Sequence, residues 1–217
     1  VALRMGIRIY ERSPMVDFTQ GHPVTVRTPA GSIEAPKLVL AMNAWMASAL
    51  PCFERSIAIV SSDMVITEKC PDLLRATGLV DGVSVLDSRT FVYYYRTTVD
   101  GRLMLGKGGN TFAWGGRIAP VFDQRSPYEA DLTRALGDFF PSLRQVPVTA
   151  SWNGPSDRSV TGFPFFGRLN GTPHIYYGFG YSGNGVGPTY MGGQILSSLL
   201  LDEDNAWTRS PLLRGPL

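Results

Sequence analysis

The sequence predicts a mixed α/β (α+β) fold in which an antiparallel-sheet domain interrupts another domain. Three observations carry that prediction. Lys37-Leu-Val-Leu-Ala41 is a continuous apolar run, the character of a strand covered on both faces in a parallel sheet. Between Ser56 and Lys107 the chain holds several β-rich runs, two of them joined by Asp100-Gly101, the strongest short hairpin signal. Finally, Tyr176–Gln194 sets a strand, a glycine-rich turn and a helix-forming run in that order. The 217-residue chain thus divides into three zones, 1–52, 53–150 and 151–217, and the last returns to the character of the first.

The elements follow from local chemistry. Val1–Met5 reads as the last turn of a helix, with Gly6 placed as its C′ glycine. Ile7–Tyr10, Pro14–Gln20 and Pro23–Thr28 read as strands, the last two joined at Gln20-Gly21-His22, and Pro29–Ser32 reads as a turn. Asn43 stands where it would cap a short helix, Ala44–Leu50, which Pro51 ends. Ser56–Thr67, Val83–Leu86, Thr90–Val99 and Arg102–Lys107 read as the middle-zone strands. In Tyr128–Phe140, Ala130, Leu132, Leu136, Phe139 and Phe140 share one broad helical face. Pro147–Trp152, Phe163–Leu169 and His174–Phe179 read as strands, and Tyr190–Leu201 as the final helix.

Composition excludes several classes. A net charge of +2 is too small to argue for nucleic acid or an anionic membrane surface. Cys52 and Cys70 form neither a disulfide framework nor a C-x-x-C, and with His22 and His174 as the only histidines no metal site is expected. That cysteine usage suits a reducing, cytoplasmic setting. No apolar run reaches the length of a membrane span. The opening residues show no charged and apolar leader pattern, and the chain reads as starting within a larger fold.

The glycine turn holds the most chemistry. Five glycines lie between Gly178 and Gly187. A strand, a glycine turn and a helix N-terminus suit an anionic or electron-rich group, because backbone N–H groups and the helix dipole favour it. Gly178-Phe-Gly180-Tyr-Ser-Gly183 also spells G-x-G-x-x-G, with Asp202 and Glu203 about 20 residues on, as a nucleotide fold requires. Such a fold needs a second strand ending in that acid. After Leu201 the sequence offers none, so the nicotinamide-type reading is rejected.

Several segments together resemble one family. Met5-Gly-Ile-Arg-Ile-Tyr-Glu-Arg-Ser-Pro-Met-Val16, Leu38-Val-Leu-Ala-Met-Asn-Ala-Trp45, Trp152-Asn-Gly154, Pro164-Phe-Phe-Gly-Arg-Leu169 and Gly180-Tyr-Ser-Gly-Asn-Gly-Val-Gly187 occur in order along the chain. They are similar to the D-amino-acid oxidase-like family of FAD-dependent oxidoreductases, most of all to its γ-glutamylputrescine oxidoreductase-type branch. The resemblance covers essentially the whole chain. It implies a partial FAD-binding α/β domain, 1–52 and 151–217, with an inserted substrate domain at 53–150. The N-terminal β-α-β unit that holds the FAD pyrophosphate and ribose in the family has no counterpart in the sequence.

The resemblance further implies non-covalent FAD and a small-molecule amine or amino-acid substrate oxidised at its C–N bond. Cofactor contacts would fall on Val16, Ala41, Asn43, Trp45, Gly180, Ser182, Gly183, Asn184, Gly185, Val186 and Gly187. Asn43 reads equally as a helix cap and Trp45 as a core residue. Val16 reads equally as an ordinary strand position. Alternation in Phe91-Val-Tyr-Tyr-Tyr-Arg96 puts Phe91, Tyr93 and Tyr95 on one face, and the implied sheet above the flavin makes Tyr93 and Tyr95 candidates for the substrate cavity, against packing on neighbouring strands. Arg158 is the candidate for gripping a substrate carboxylate, against a surface ion pair. Lys107 is the candidate for assisting reaction with oxygen, against a solvated lysine. A non-catalytic binding or scaffolding module built on the same fold is the alternative. Oligomeric state is not legible.

Overall fold

The computed structural model describes residues 1–215. They form two compact units, each built from separated stretches of chain.

The first unit comprises Val1–Met42, Phe165–Phe179 and Val186–Gly215. A short 3₁₀ turn, Ala2–Met5, ends at left-handed Gly6 as the sequence indicates. Ile7–Tyr10, expected as a strand, joins no ladder. Strands β1 (Asp17–Phe18), β2 (Val24–Thr28) and β3 (Gly31–Ala35) make a three-stranded antiparallel sheet. β3 is the strand the sequence hides: its exposed, polar Gly-Ser-Ile-Glu-Ala exists because β2 offers it a ladder. Strand β4 (Leu38–Leu40) pairs in parallel with a late strand of the chain, Ile175–Phe179, as its apolar character suggests. Its Leu40 is buried, while Leu38 and Val39 are half-buried.

The second unit comprises Asn43–Pro164 and, among the described residues, Gly180–Gly185. Helix α1 (Trp45–Ala49) starts after Ala44 rather than Asn43. Asn43 does not cap it; its φ of 50° turns the side chain to another task. Strand β5 (Ile57–Thr67) is the longest of the early strands. Helix α2 (Pro71–Ala76) follows, started by its proline, then β6 (Ser84–Leu86), β7 (Tyr93–Thr97) and β8 (Leu103–Phe112). β7 and β8 turn through Asp100-Gly101 as predicted, with Thr97 opposite Leu103. Helix α3 (Glu129–Phe139) and β9 (Val148–Ser159) complete the unit. The sheet order is β6-β7-β8-β5-β9, all antiparallel.

One face of this sheet carries Val65, Leu103 and Leu105, with Tyr93 and Tyr95 beside them. Leu132, Leu136 and Leu143 close that core from α3 and the turn after it. Of the predicted helical face, Leu132 and Leu136 pack with Phe140 beside them, whereas Ala130 and Phe139 are exposed and Ala135 packs against the core.

Back in the first unit, β10 (Phe165–Arg168) and β11 (Ile175–Phe179) add antiparallel and parallel ladders to give the order β10-β11-β4. Every residue of β11 is buried. Helix α4 (Pro188–Leu200) packs on it. At Gly178 a Cβ would stand 2.6 Å from the Phe166 ring and 3.2 Å from Leu196, so only glycine admits that approach. Asp202, the acid of the rejected nucleotide reading, pairs instead with Lys37 and Arg168. The unit boundaries fall after Met42 and after Pro164, against expected limits at 52 and 150. β9 pairs along its whole length with β5, which keeps it in the second unit until the strand ends.

Candidate active site

The site is built on the end of β9. Asp157 and Arg158 are consecutive there, so strand alternation sends them to opposite faces. Both nevertheless grip the same turn, Gly180–Gly185. Asp157 is 1% exposed. Its Oδ2 accepts the Gly180 N–H at 2.5 Å and its Oδ1 accepts the Ser182 N–H at 3.1 Å. Gly180, Ser182 and Gly183 take φ values of 86°, 55° and 80°, the left-handed conformations that wind the turn around the carboxylate. Burial pushes the Asp157 carboxyl up from the usual aspartate range. The N–H groups of Gly180, Ser182 and Tyr181 and the charge of Arg158 pull against it.

Asn43 completes the arrangement. The orientation that pairs donors with acceptors turns its amide nitrogen to Asp157, 3.1 Å from Oδ1 and 2.6 Å from Oδ2. Ser159 N donates to Ser182 Oγ at 3.0 Å, which ties the turn to the strand a second time.

Arg158 donates from Nη1 to the Ser182 carbonyl. Its guanidinium lies 5.9 Å from the Phe91 ring centre. Its Nε is buried without a hydrogen-bond partner. Burial lowers the Arg158 pKa, opposed by the charge of Asp157. A Cβ at Gly183 would stand 2.5 Å from Nη1, and one at Gly108 would stand 3.1 Å from Nη2. Two glycines thus make the space that the guanidinium fills. A surface ion pair is not its role: among the described residues it forms none.

The same face of the sheet carries Tyr94, whose hydroxyl lies 2.6 Å from Ser62 Oγ. Its ring crosses Gly106, where a Cβ would collide with it and with Met64 Sδ. Burial raises the Tyr94 hydroxyl pKa, so it stays protonated at neutral pH.

The predicted residues fall into distinct places. Asn43, Gly180, Ser182 and Gly183 are brought together with Arg158. Asn184 and Gly185 continue the turn, where Asn184 N–H donates to the Tyr181 carbonyl at 3.0 Å. Trp45 is 48% exposed and borders a cavity of about 610 Å³ with Phe122, Asp123 and Asn153. Val16, Ala41, Val186 and Gly187 belong to the first unit, where Val16 N–H is bonded to the Arg27 carbonyl and Gly187 precedes α4. Tyr93 and Tyr95 stand on the α3-covered face, edge-on to Phe139 and Phe140 at 5.2 and 5.0 Å. With those phenylalanines they line a cavity of about 430 Å³. Lys107 shares their face. Its Nζ donates to the Gly108 carbonyl at 3.1 Å and to Asn110 Oδ1 at 3.0 Å.

Sequence reasoning missed Asp157 and Tyr94. Asp157 lies beyond the strand expected at Pro147–Trp152, which runs on to Ser159, and its partners lie 23 and 25 residues away. For Tyr94 the alternation was read correctly, but it does not say which face a helix covers.

The match to known families decides the class. The model of the family described as FAD dependent oxidoreductase (DAO) matches residues 1–199. The chain belongs to the DAO family of FAD-dependent oxidoreductases. Among DAO proteins it is 30% identical over 206 residues to the probable oxidoreductase OrdL of Haemophilus influenzae, a match over 92% of this chain and 44% of that protein. It is 29% identical to γ-glutamylputrescine oxidoreductase of Escherichia coli, over 92% of this chain and 45% of that protein. The chain therefore spans less than half the length of these curated relatives. A crystal structure of glycine oxidase from Geobacillus kaustophilus shares the fold, with a TM-score of 0.74 at 19% identity over 99% of this chain and 55% of that one.

Proposed function

We propose that this chain supplies the flavin-facing turn and the substrate-facing sheet of an enzyme that oxidises the C–N bond of an amine or amino acid. The observation that carries this reading is the state of the turn. Gly183 is exposed and Gly185 half-buried, and among the described residues their N–H groups have no hydrogen-bond partner. Gly180 and Ser182 spend theirs on Asp157. Two free donors beside a buried acid and an arginine fit an electron-rich acceptor edge that gains negative charge during reaction. That is the chemistry of a reduced flavin, and the donor set fits FAD.

FAD, when bound, supplies the two-electron acceptor for the hydride that leaves the substrate carbon. The protein residues do the rest. The Gly183 and Gly185 N–H groups would hold the electron-rich edge of FAD. The side chain of Tyr94, kept protonated and fixed by Ser62, forms one wall of the sheet face beside Arg158. Arg158 spends Nη1 on Ser182 and keeps Nη2, on the Gly108 side, for a substrate carboxylate. The Escherichia coli relative is named for an amine and the Geobacillus kaustophilus structure for an amino acid. Both substrate types have a C–N bond next to a transferable hydrogen. The test is anaerobic mixing of the flavin-loaded protein with γ-glutamylputrescine, simple secondary amines and amino acids. Bleaching of the flavin band by at least one is expected; a band unchanged by every one of them counts against the reading.

A further inference from the structure

We propose that Asp157 is the positioning residue of the glycine turn: its buried carboxylate fixes Gly180, Ser182 and Asn43 together, and so sets where the free Gly183 and Gly185 donors stand. The effect on a flavin rests on the reading above; the tether itself does not.

The argument begins with cost. A carboxylate at 1% exposure loses its hydration and is retained only where donors replace it. Asp157 uses both oxygens. Oδ2 takes Gly180 N–H at 2.5 Å, Oδ1 takes Ser182 N–H at 3.1 Å, and the Asn43 amide reaches both. All of these donors belong to residues outside helices and strands, two as backbone N–H groups and one as a side-chain amide. Two of the three residues, Ser182 and Asn43, are non-glycine residues at positive φ, 55° and 50°. Such conformations persist only where the surroundings impose them. The carboxylate touches both.

The arrangement also sorts the donors of the turn. The N–H groups of three consecutive residues, Gly180, Tyr181 and Ser182, face the acid. The Asn184 N–H goes to the Tyr181 carbonyl, and among the described residues those of Gly183 and Gly185 are left for an outside acceptor. Arg158 fixes the opposite polarity by holding the Ser182 carbonyl. Acid and base on adjacent strand positions therefore hold an N–H and a C=O of the same residue, which leaves that peptide region little freedom. A residue that merely filled space at position 157 would be apolar and would leave the turn unpinned.

The test is Asp157→Asn in the flavin-containing protein and in the same protein stripped of flavin. The substitution keeps the shape but sets an amide N–H against existing donors. Hydrogen exchange at Gly180 and Ser182 is expected to quicken by about tenfold or more, while α3 and β8 amides keep their protection. With flavin bound, affinity for FAD is expected to fall about tenfold and the reduction potential to move to a more negative value, because the donors that favour the reduced form are displaced. Unchanged exchange at both amides would overturn the tether. If Asp157→Asn does not fold, Asn43→Gly decides: glycine keeps the positive φ and removes only the amide, and the turn should exchange faster. Turn exchange equal to wild type in Asn43→Gly would overturn the proposal. A wild-type protein that takes up no FAD, yet loses turn protection in Asp157→Asn, would keep the tether and remove the flavin reading alone.

Discussion

The two faces of the five-stranded sheet are made from the same strands yet have opposite chemistry. The face under α3 has an apolar core: Val65, Leu103, Leu105, Leu132 and Leu136 are each at most 2% exposed. The other face is spaced by glycines, with Gly106 and Gly108 beneath Tyr94 and Arg158. In β8, alternate positions decide the contrast, as leucines point to the helix and glycines away from it. The covered face gains its stability from buried apolar area. The glycine face gives up that area, which leaves room for a tyrosine ring and a guanidinium to lie close to the backbone. Fold and site are thus divided within single strands.

Substitutions should separate the faces. The largest effect on stability is expected on the covered face: Leu136→Ala should cost about 2–5 kcal/mol in urea unfolding, through a cavity under α3. Next comes Gly106→Ala, which leaves the core alone but forces Tyr94 and Met64 aside, at about 1–3 kcal/mol from overpacking. Tyr94→Phe should cost about 1 kcal/mol, from the Ser62 hydrogen bond. If Gly106→Ala proved neutral, the division of labour between the faces would be wrong.

The covered face also has the clearest pH dependence. Glu129 in α3 is held down to about 2 by hydrogen bonds from Arg125 and Ser151. A lowered folded pKa adds stability that is fully present above the ordinary glutamate range and lost as pH falls toward about 2. Unfolding free energy should therefore decline between pH 5 and pH 2, and Glu129→Gln should flatten that decline. An identical pH slope in the variant would show that Glu129 contributes nothing.

Much of the fold was legible because it rests on local periodicity. The α3 face, the Asp100-Gly101 hairpin and the parallel character of β4 follow from spacing and composition alone. Ile7–Tyr10 has strand chemistry but no ladder, and β3 has a ladder without strand chemistry; each depends on a neighbour that sequence does not name. The glycine turn was legible as a junction of strand, turn and helix. Its organiser was not, because Asp157 matters only through partners that folding brings to it. Asn43 illustrates the same point. Its position before a helix suggested a cap, but a positive φ and a buried acid recruit it elsewhere.

The central claim is that the Gly180–Gly185 turn is the flavin contact. Its most direct test is the flavin content of the protein purified together with the family's pyrophosphate-binding unit, wild type against Gly183→Val. Valine at a φ of 80° is strained by about 1–2 kcal/mol and presses on the Arg158 guanidinium beside the turn. The account predicts a yellow wild type and a folded but colourless variant. A folded variant with full flavin occupancy, or a wild type that stays colourless after addition of FAD, would contradict it.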